Sequence, residues 1–410
     1  MAYLFSLLLI SAPLYVWRFS IGGLPTNFLM VINFVVLAVG LLVVLRQHEF
    51  NQLKQNFISL GKPLLVCISL FGLASFISLV AFGVSATKLA QWVVLYAQPL
   101  SFFILVRYFA RKDERVVRYF KIACYIFVAV AGALALIQYF TLTTLPEMWW
   151  GNANEPKRAI SFFAHANAYG LFVTPLLAWL IPDVVQRVRG ISSIASTANS
   201  FKKESLRTYH KYLFALAWLV GVIGVFLSLS RGAWLGLIVA TGAYVFISAN
   251  KKLIITFAVA GLVLAGIIVA TPNLRYRVLL PFHGEKSAIA RLSLWDTGSA
   301  MIKDNFFLGK GIDGFNENWD KYNKDPNLDH YNFPHNIVLN FWVDLGLLGM
   351  LSMMAILALV ATKGFVNRAN PAAFGVLLVI LAIVAHGLID IPYLKNDLAL
   401  VFWLILAVSL

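Results

Sequence analysis

The sequence predicts an all-α polytopic membrane protein of about 12 transmembrane helices with one long extracytoplasmic loop. Three observations predict it. Of 410 residues, 60% are hydrophobic and 12% charged, with a mean hydropathy of +0.80, whereas an ordinary soluble domain carries roughly 25% charged residues. Apolar runs near the roughly 20 residues that cross a bilayer recur along the whole chain. Lysine and arginine gather in alternate connections, the asymmetry that sets membrane orientation.

The runs lie near residues 2–17, 26–45, 63–83, 89–106, 122–141, 160–181, 212–229, 232–249, 253–271, 334–361, 371–389 and 398–410. No basic segment precedes the first and no clear small-residue cleavage site follows it, so it reads as a retained span rather than a signal peptide. Phe50, Leu53, Phe57 and Leu60 recur at helical spacing among polar residues, which predicts a helix lying along the inner membrane surface. The Ser-, Lys- and Arg-rich stretch from Arg187 to Arg207 reads as a flexible loop. The two runs that meet at Arg231 form either two spans or one bent hairpin. The chain thus divides into helices one to nine (1–271), a loop with short helices (272–333) and helices ten to twelve (334–410).

The net charge of +15 and a pI near 9.8 do not point to nucleic acid, because the basic residues lie between apolar runs and form no stripe with interleaved aromatics. They specify topology instead. Nineteen lysines and arginines follow even-numbered runs, against six on the opposite side outside the long loop. This bias puts both termini in the cytoplasm. The 62-residue stretch from Pro272 to Phe333 then faces outward, with eight basic and eight acidic residues. Its run from Ala290 to Phe307 predicts a helix with Leu292, Trp295, Ser299, Ile302 and Phe306 along one side. Cys67 and Cys124 sit inside apolar runs without ligand spacing, so neither a disulfide framework nor a zinc site is supported.

Polar residues at the outward ends of apolar runs are the candidates for chemistry. Arg231 lies beside Ser228, Ser230 and Gly232 at a tight turn. It reads either as an anchor reaching the headgroups or as a guanidinium that grips a phosphate. His330, Pro334, His335 and Asn336 cluster before the tenth run. With Pro334 in a first turn and Asn332 as its cap, His335 would stand at a helix N-terminus, where the dipole favours the neutral imidazole; the bland alternative is a histidine bonding at the interface. Arg291 opens the amphipathic run, and a lone loop arginine is ordinarily solvated. His165 and Asn167 lie near the outward end of the sixth run, and His386 and Asp390 near that of the eleventh. Asp344, nine residues beyond His335, points away from it on a continuous helix and reads as structural. It is the only strong intramembrane charge that the sequence predicts. Gly346 and Gly349 read as sites of close packing.

Three segments carry a resemblance. HNIVLNFWVDLGLLG (His335 to Gly349) resembles the signature of the O-antigen ligase family, relatives of O-antigen polymerases; SLSRGAWLG (Ser228 to Gly236) is similar to that family's arginine-bearing turn, and ARLSLWDTG (Ala290 to Gly298) to its loop arginine. The resemblance implies a GT-C-like fold. It also implies an inverting, metal-independent glycosyltransferase that needs no cofactor. Its donor would be a glycan on undecaprenyl pyrophosphate, and its acceptor a hydroxyl of a glycolipid or glycan such as lipid A-core. Its place would be the outer face of the bacterial cytoplasmic membrane, among membrane lipids. By the same resemblance Arg231 and Arg291 bind the pyrophosphate and His335 acts as general base or orients the acceptor. Asn336, His330, Ser230, His165, Asn167, His386 and Asp390 are accessory candidates. The outward carboxylates Glu285, Asp296, Asp304 and Asp313 are dispersed, without the paired spacing that a divalent ion favours. The alternatives are a polymerase of the same superfamily and, from another class, a polysaccharide transporter or flippase.

Overall fold

A computed structural model describes residues 1–22, 24–152, 156–194, 201–279, 286–326 and 328–410. It is mostly helical. Among the described residues, seven helices are long and apolar enough to cross a membrane: Phe28–Arg46, Lys62–Ala81, Ala86–Lys112, Arg115–Thr141, Ala166–Arg189, Lys251–Ala270 and Ile337–Val366. Four shorter apolar helices, Tyr212–Leu227, Arg231–Ile247, Pro371–Gly387 and Asp397–Ser409, fall on four further predicted runs. Local signals start several of them. Asn27 accepts the Met30 N–H at 3.0 Å, and Asn250 accepts that of Leu253 at 3.2 Å; each satisfies a backbone donor that the first helical turn leaves open.

Two expectations change. The first run folds as a nine-residue helix, Ala2–Ile10, followed by a 3-10 turn, Ala12–Val16, with Pro13 at its start. Nine residues rise only about 14 Å, half or less of the hydrocarbon thickness, so this segment is not a full span. The stretch read as a loop after Arg187 stays helical to Ile194 and is helical again from Phe201; its residues 195–200 lie outside the described set.

The chain divides into two compact units. One comprises Met1–Phe120, Leu280–Lys363 and Ile383–Leu410, the other Lys121–Leu279 and Gly364–Ala382. In the first, Phe71 packs against Tyr96, Phe341 and Tyr393 with ring centres 5.8, 5.8 and 6.2 Å away, and Trp403 closes this core against Phe103 at 5.1 Å. The amphipathic helix Phe50–Ile58 buries Leu53 and exposes Phe50. Arg107 donates to Asn56 and holds that helix in place.

The first unit also contains a broken helix. Within Ile337–Val366, Gly346 adopts φ +68°, ψ −173° and interrupts the helical path. A loop fills the break: Leu347 N–H donates to Phe307 O at 3.1 Å, and Lys310 N–H to Val343 O at 2.6 Å. A Cβ on Gly346 would lie 2.1 Å from Phe307 O, so the approach requires glycine. The helix Lys286–Asp304 packs beside it. Its buried stripe is Ala290, Leu294, Thr297, Met301 and Ile302, which meets Phe315, Trp319 and Val343. Leu292 and Phe306, expected on that stripe, are exposed.

In the second unit, glycines let helices meet. A Cβ on Gly132 would lie 2.3 Å from Val220 O, and one on Gly224 would lie 2.3 Å from the Tyr169 hydroxyl. Asp344 is not alone as an acid within a candidate span: Asp183 sits inside Ala166–Arg189, bonded to Lys121 at 2.8 Å, the Tyr125 hydroxyl at 2.8 Å and Arg187 at 2.5 Å. Three partners make its burial tolerable.

Candidate active site

In the first unit the backbone turn after Pro371–Gly387 gathers the site. His335 Nδ1 lies 3.0 Å from Asp390 Oδ1, Asn336 Nδ2 donates to Leu388 O at 3.1 Å, and Arg291 Nε donates to Ile389 O at 2.7 Å. Three side chains from two distant segments therefore hold three consecutive residues. Arg291 also donates to Ser287 O at 3.1 Å, one turn earlier on its own helix. His386 stands 4.0 Å from the other Asp390 oxygen, and Ile391 N–H caps the first at 2.9 Å.

The local backbone explains how His335 reaches this turn, and it corrects the expected geometry. The helix starts at Ile337, and Asn336 rather than Asn332 caps it, accepting from Val338 and Leu339 N–H at 3.0 and 3.1 Å. Pro334 and His335 precede the helix, and His335 has φ +49°. A projection of Asp344 from His335 along one helix consequently does not apply. The Asp344 carbonyl accepts the Ser78 hydroxyl at 2.5 Å.

Asp390 lies in the loop beyond the helix. Burial works to raise its pKa, but the hydrogen bond from His335, the attraction of the two imidazoles when protonated and the Ile391 N–H outweigh it and hold the carboxyl below the usual range. The group is a carboxylate, and an ionised carboxylate only accepts hydrogen bonds. In a neutral His335 the Nδ1–H then points to Asp390, which leaves the Nε2 lone pair as the proton acceptor. His330 stands apart from this group, with Nε2 2.7 Å from Asn316 Oδ1 and its ring against Trp319 at 5.5 Å.

The second unit holds Arg231, Ser230, His165 and Asn167. Arg231 opens the helix Arg231–Ile247, with Ser230 as its N-cap residue. The preceding turn is tight: Leu229 has φ +51°, and the Ser228 hydroxyl donates to Val225 O at 2.7 Å. Gly170 brings a second helix onto it, since a Cβ there would lie 3.2 Å from Ser230 Oγ. Arg158, which reads in the sequence only as a loop charge, ties the corner together: its Nε donates to Ser228 O at 3.0 Å and its other arm to Asn167 Oδ1 at 2.8 Å. The guanidinium lies 5.4 Å over Trp149, whose ring meets His165 at 5.9 Å. Arg158 sits in an irregular segment without periodicity, and no sequence signal sets it apart.

These features define a class: a helical membrane protein with a histidine–carboxylate pair in one unit and an arginine-bearing helix start in the other. Residues 215–354, about a third of the chain, match the family model described as O-antigen ligase, a match that supports an O-antigen ligase family assignment. The matched stretch contains Arg231, Arg291, His335 and Asn336; His165, Asn167, His386 and Asp390 lie outside it. A Haemophilus influenzae (strain ATCC 51907 / DSM 11121 / KW20 / Rd) protein described as uncharacterized is 28% identical over 178 residues, 38% of this chain and 43% of that protein. The chain thus spans less than half the length of this curated relative.

Proposed function

We propose that the protein is a glycosyltransferase of the O-antigen ligase and polymerase kind that moves a glycan from undecaprenyl pyrophosphate to an acceptor hydroxyl at the outer face of the cytoplasmic membrane. The observation that carries this reading is the His335–Asp390 pair on a turn that Arg291 and Asn336 also hold. The acceptor hydroxyl gives its proton to His335 Nε2 as its oxygen attacks the anomeric carbon of the donor sugar. The new C–O bond forms on the face opposite the pyrophosphate, whose C–O bond breaks with the electron pair leaving on the lipid diphosphate. The anomeric configuration inverts. Arg231 and Arg291 offset the charge that develops on the leaving group, a task that needs fixed cations and no metal. Asp390 keeps Nδ1 protonated and stabilises the imidazolium formed during transfer.

The test is glycan transfer by membranes carrying His335→Ala or Arg231→Ala. Each variant is expected to lose transfer by on the order of a hundredfold or more while expressing normally. Full activity in both removes the assignment. The acceptor separates the two family activities: glycan appearing on lipid A-core marks a ligase, and lengthened glycan on the polyprenyl carrier marks a polymerase. Movement of the donor across a proteoliposome without a new glycosidic bond identifies a transporter instead.

A further inference from the structure

The second unit contains a cavity of about 610 Å³, formed by the Pro182–Arg189 stretch of one helix, the end of Arg231–Ile247 and the turn before Pro371–Gly387. Ser230 and Arg231 stand at the other end of the 17-residue helix Arg231–Ile247, about 25 Å away along its axis. The cavity is therefore separate from the turn that carries Arg231.

We infer that this cavity binds the phosphate of an anionic lipid headgroup. Arg189 and Arg368 both line it, and among the described residues no lining side chain is acidic. Arg368 is set in place: one of its amino groups donates to Phe365 O at 3.0 Å, and its guanidinium lies 4.7 Å over the Phe365 ring. Its remaining N–H groups are fixed in the planar fork that suits phosphate oxygens. The Tyr244 and Ser248 hydroxyls and the Gln186 amide add neutral hydrogen-bonding groups to the lining. The wall is rigid as well as polar. Tyr244 packs on Phe374 at 5.0 Å, and a Cβ on Gly375 would lie 2.5 Å from Trp179 O, so two helices are in backbone contact beside the cavity. The lysine and arginine bias assigns this end to the cytoplasmic leaflet, whose anionic lipids attract basic groups.

A phosphodiester headgroup and free phosphate offer the same oxygens, and one experiment separates them. The full-length protein is purified in mild detergent, and retained phosphatidylglycerol and phosphatidylethanolamine are quantified by native mass spectrometry, with and without added inorganic phosphate. The wild-type protein is expected to keep a phosphatidylglycerol adduct that R189Q/R368Q loses by roughly tenfold, with phosphatidylethanolamine unchanged. Ser248→Trp, which fills the cavity and keeps both arginines, is expected to lose the same adduct. Equal phosphatidylglycerol retention by wild type and both variants overturns the site. Displacement of the adduct by inorganic phosphate at equal concentration overturns the lipid assignment and makes free phosphate the ligand.

Discussion

His335 is held at φ +49° by its surroundings, a conformation that costs a non-glycine residue about 1–2 kcal/mol. Its neighbours supply that constraint: the Asn336 cap fixes the backbone on one side, and Asp390 fixes the ring. Asp390→Asn keeps the shape of the carboxylate but can present an N–H to Nδ1, which favours the wrong tautomer. We expect transfer to fall by on the order of a hundredfold in that variant, with normal membrane insertion, measured on a lipid-linked donor. Asn336→Ala removes two accepted hydrogen bonds and is expected to cost about 1 kcal/mol, read as a lowered unfolding midpoint in detergent. Asp304, in the loop region, has a distinct acid signature. Hydrogen bonds from Lys310 and Tyr322 lower its pKa from 3.8 to about 2. A depressed folded pKa stabilises above the unfolded value, so this contact contributes above about pH 4 and is lost as the pH falls toward 2. Lys310→Met should diminish that component in an acid titration followed by tryptophan fluorescence, and Lys310→Met with Tyr322→Phe should remove it.

At the scale of elements, the contact between the broken helix and its loop depends on Gly346. Gly346→Ala would place a methyl group 2.1 Å from Phe307 O at positive φ, and we expect roughly 2–4 kcal/mol of destabilisation or failure to insert, assayed by protease resistance. Arg158 plays a comparable part in the second unit, where it fixes the turn that leads into Arg231. Arg158→Gln is expected to raise the donor KM more than it lowers kcat, because the turn that carries a phosphate-binding group loses its tether. Most of the helical elements were legible in the sequence, since an apolar run of span length has few other folds available to it. Their faces were less so. The helix Lys286–Asp304 has apolar residues on more than one side, Leu292 as well as Leu294, so periodicity favoured a stripe that the packing against Phe315 and Trp319 does not use. The site divides in the same way. Arg291, His335, Asn336 and Asp390 stood out as polar groups at run ends, whereas the turn that joins them is made by the carbonyls of Leu388 and Ile389, which any residue supplies.

Across the whole molecule, each compact unit is assembled from separated stretches of chain, and the boundaries at 120/121, 363/364 and 382/383 fall inside helices. Local sequence cannot reveal such a division, because it depends on long-range packing. Orientation can be tested directly. If the charge bias governs insertion, a cysteine at Lys321 is labelled by a membrane-impermeant maleimide in intact spheroplasts, and one at Lys251 is labelled only after lysis. The reverse pattern inverts the topology. The interruption at Gly346 bears on how the protein sits in such a bilayer. An unbroken helix from Ile337 to Val366 would be thirty residues long, about 45 Å, half as long again as the hydrocarbon layer. The twenty residues beyond Gly346 rise about 30 Å, which equals it. The glycine thus divides one overlong rod into a segment cut to the width of the oil and a nine-residue stub that begins two residues after His335 and carries the buried Asp344.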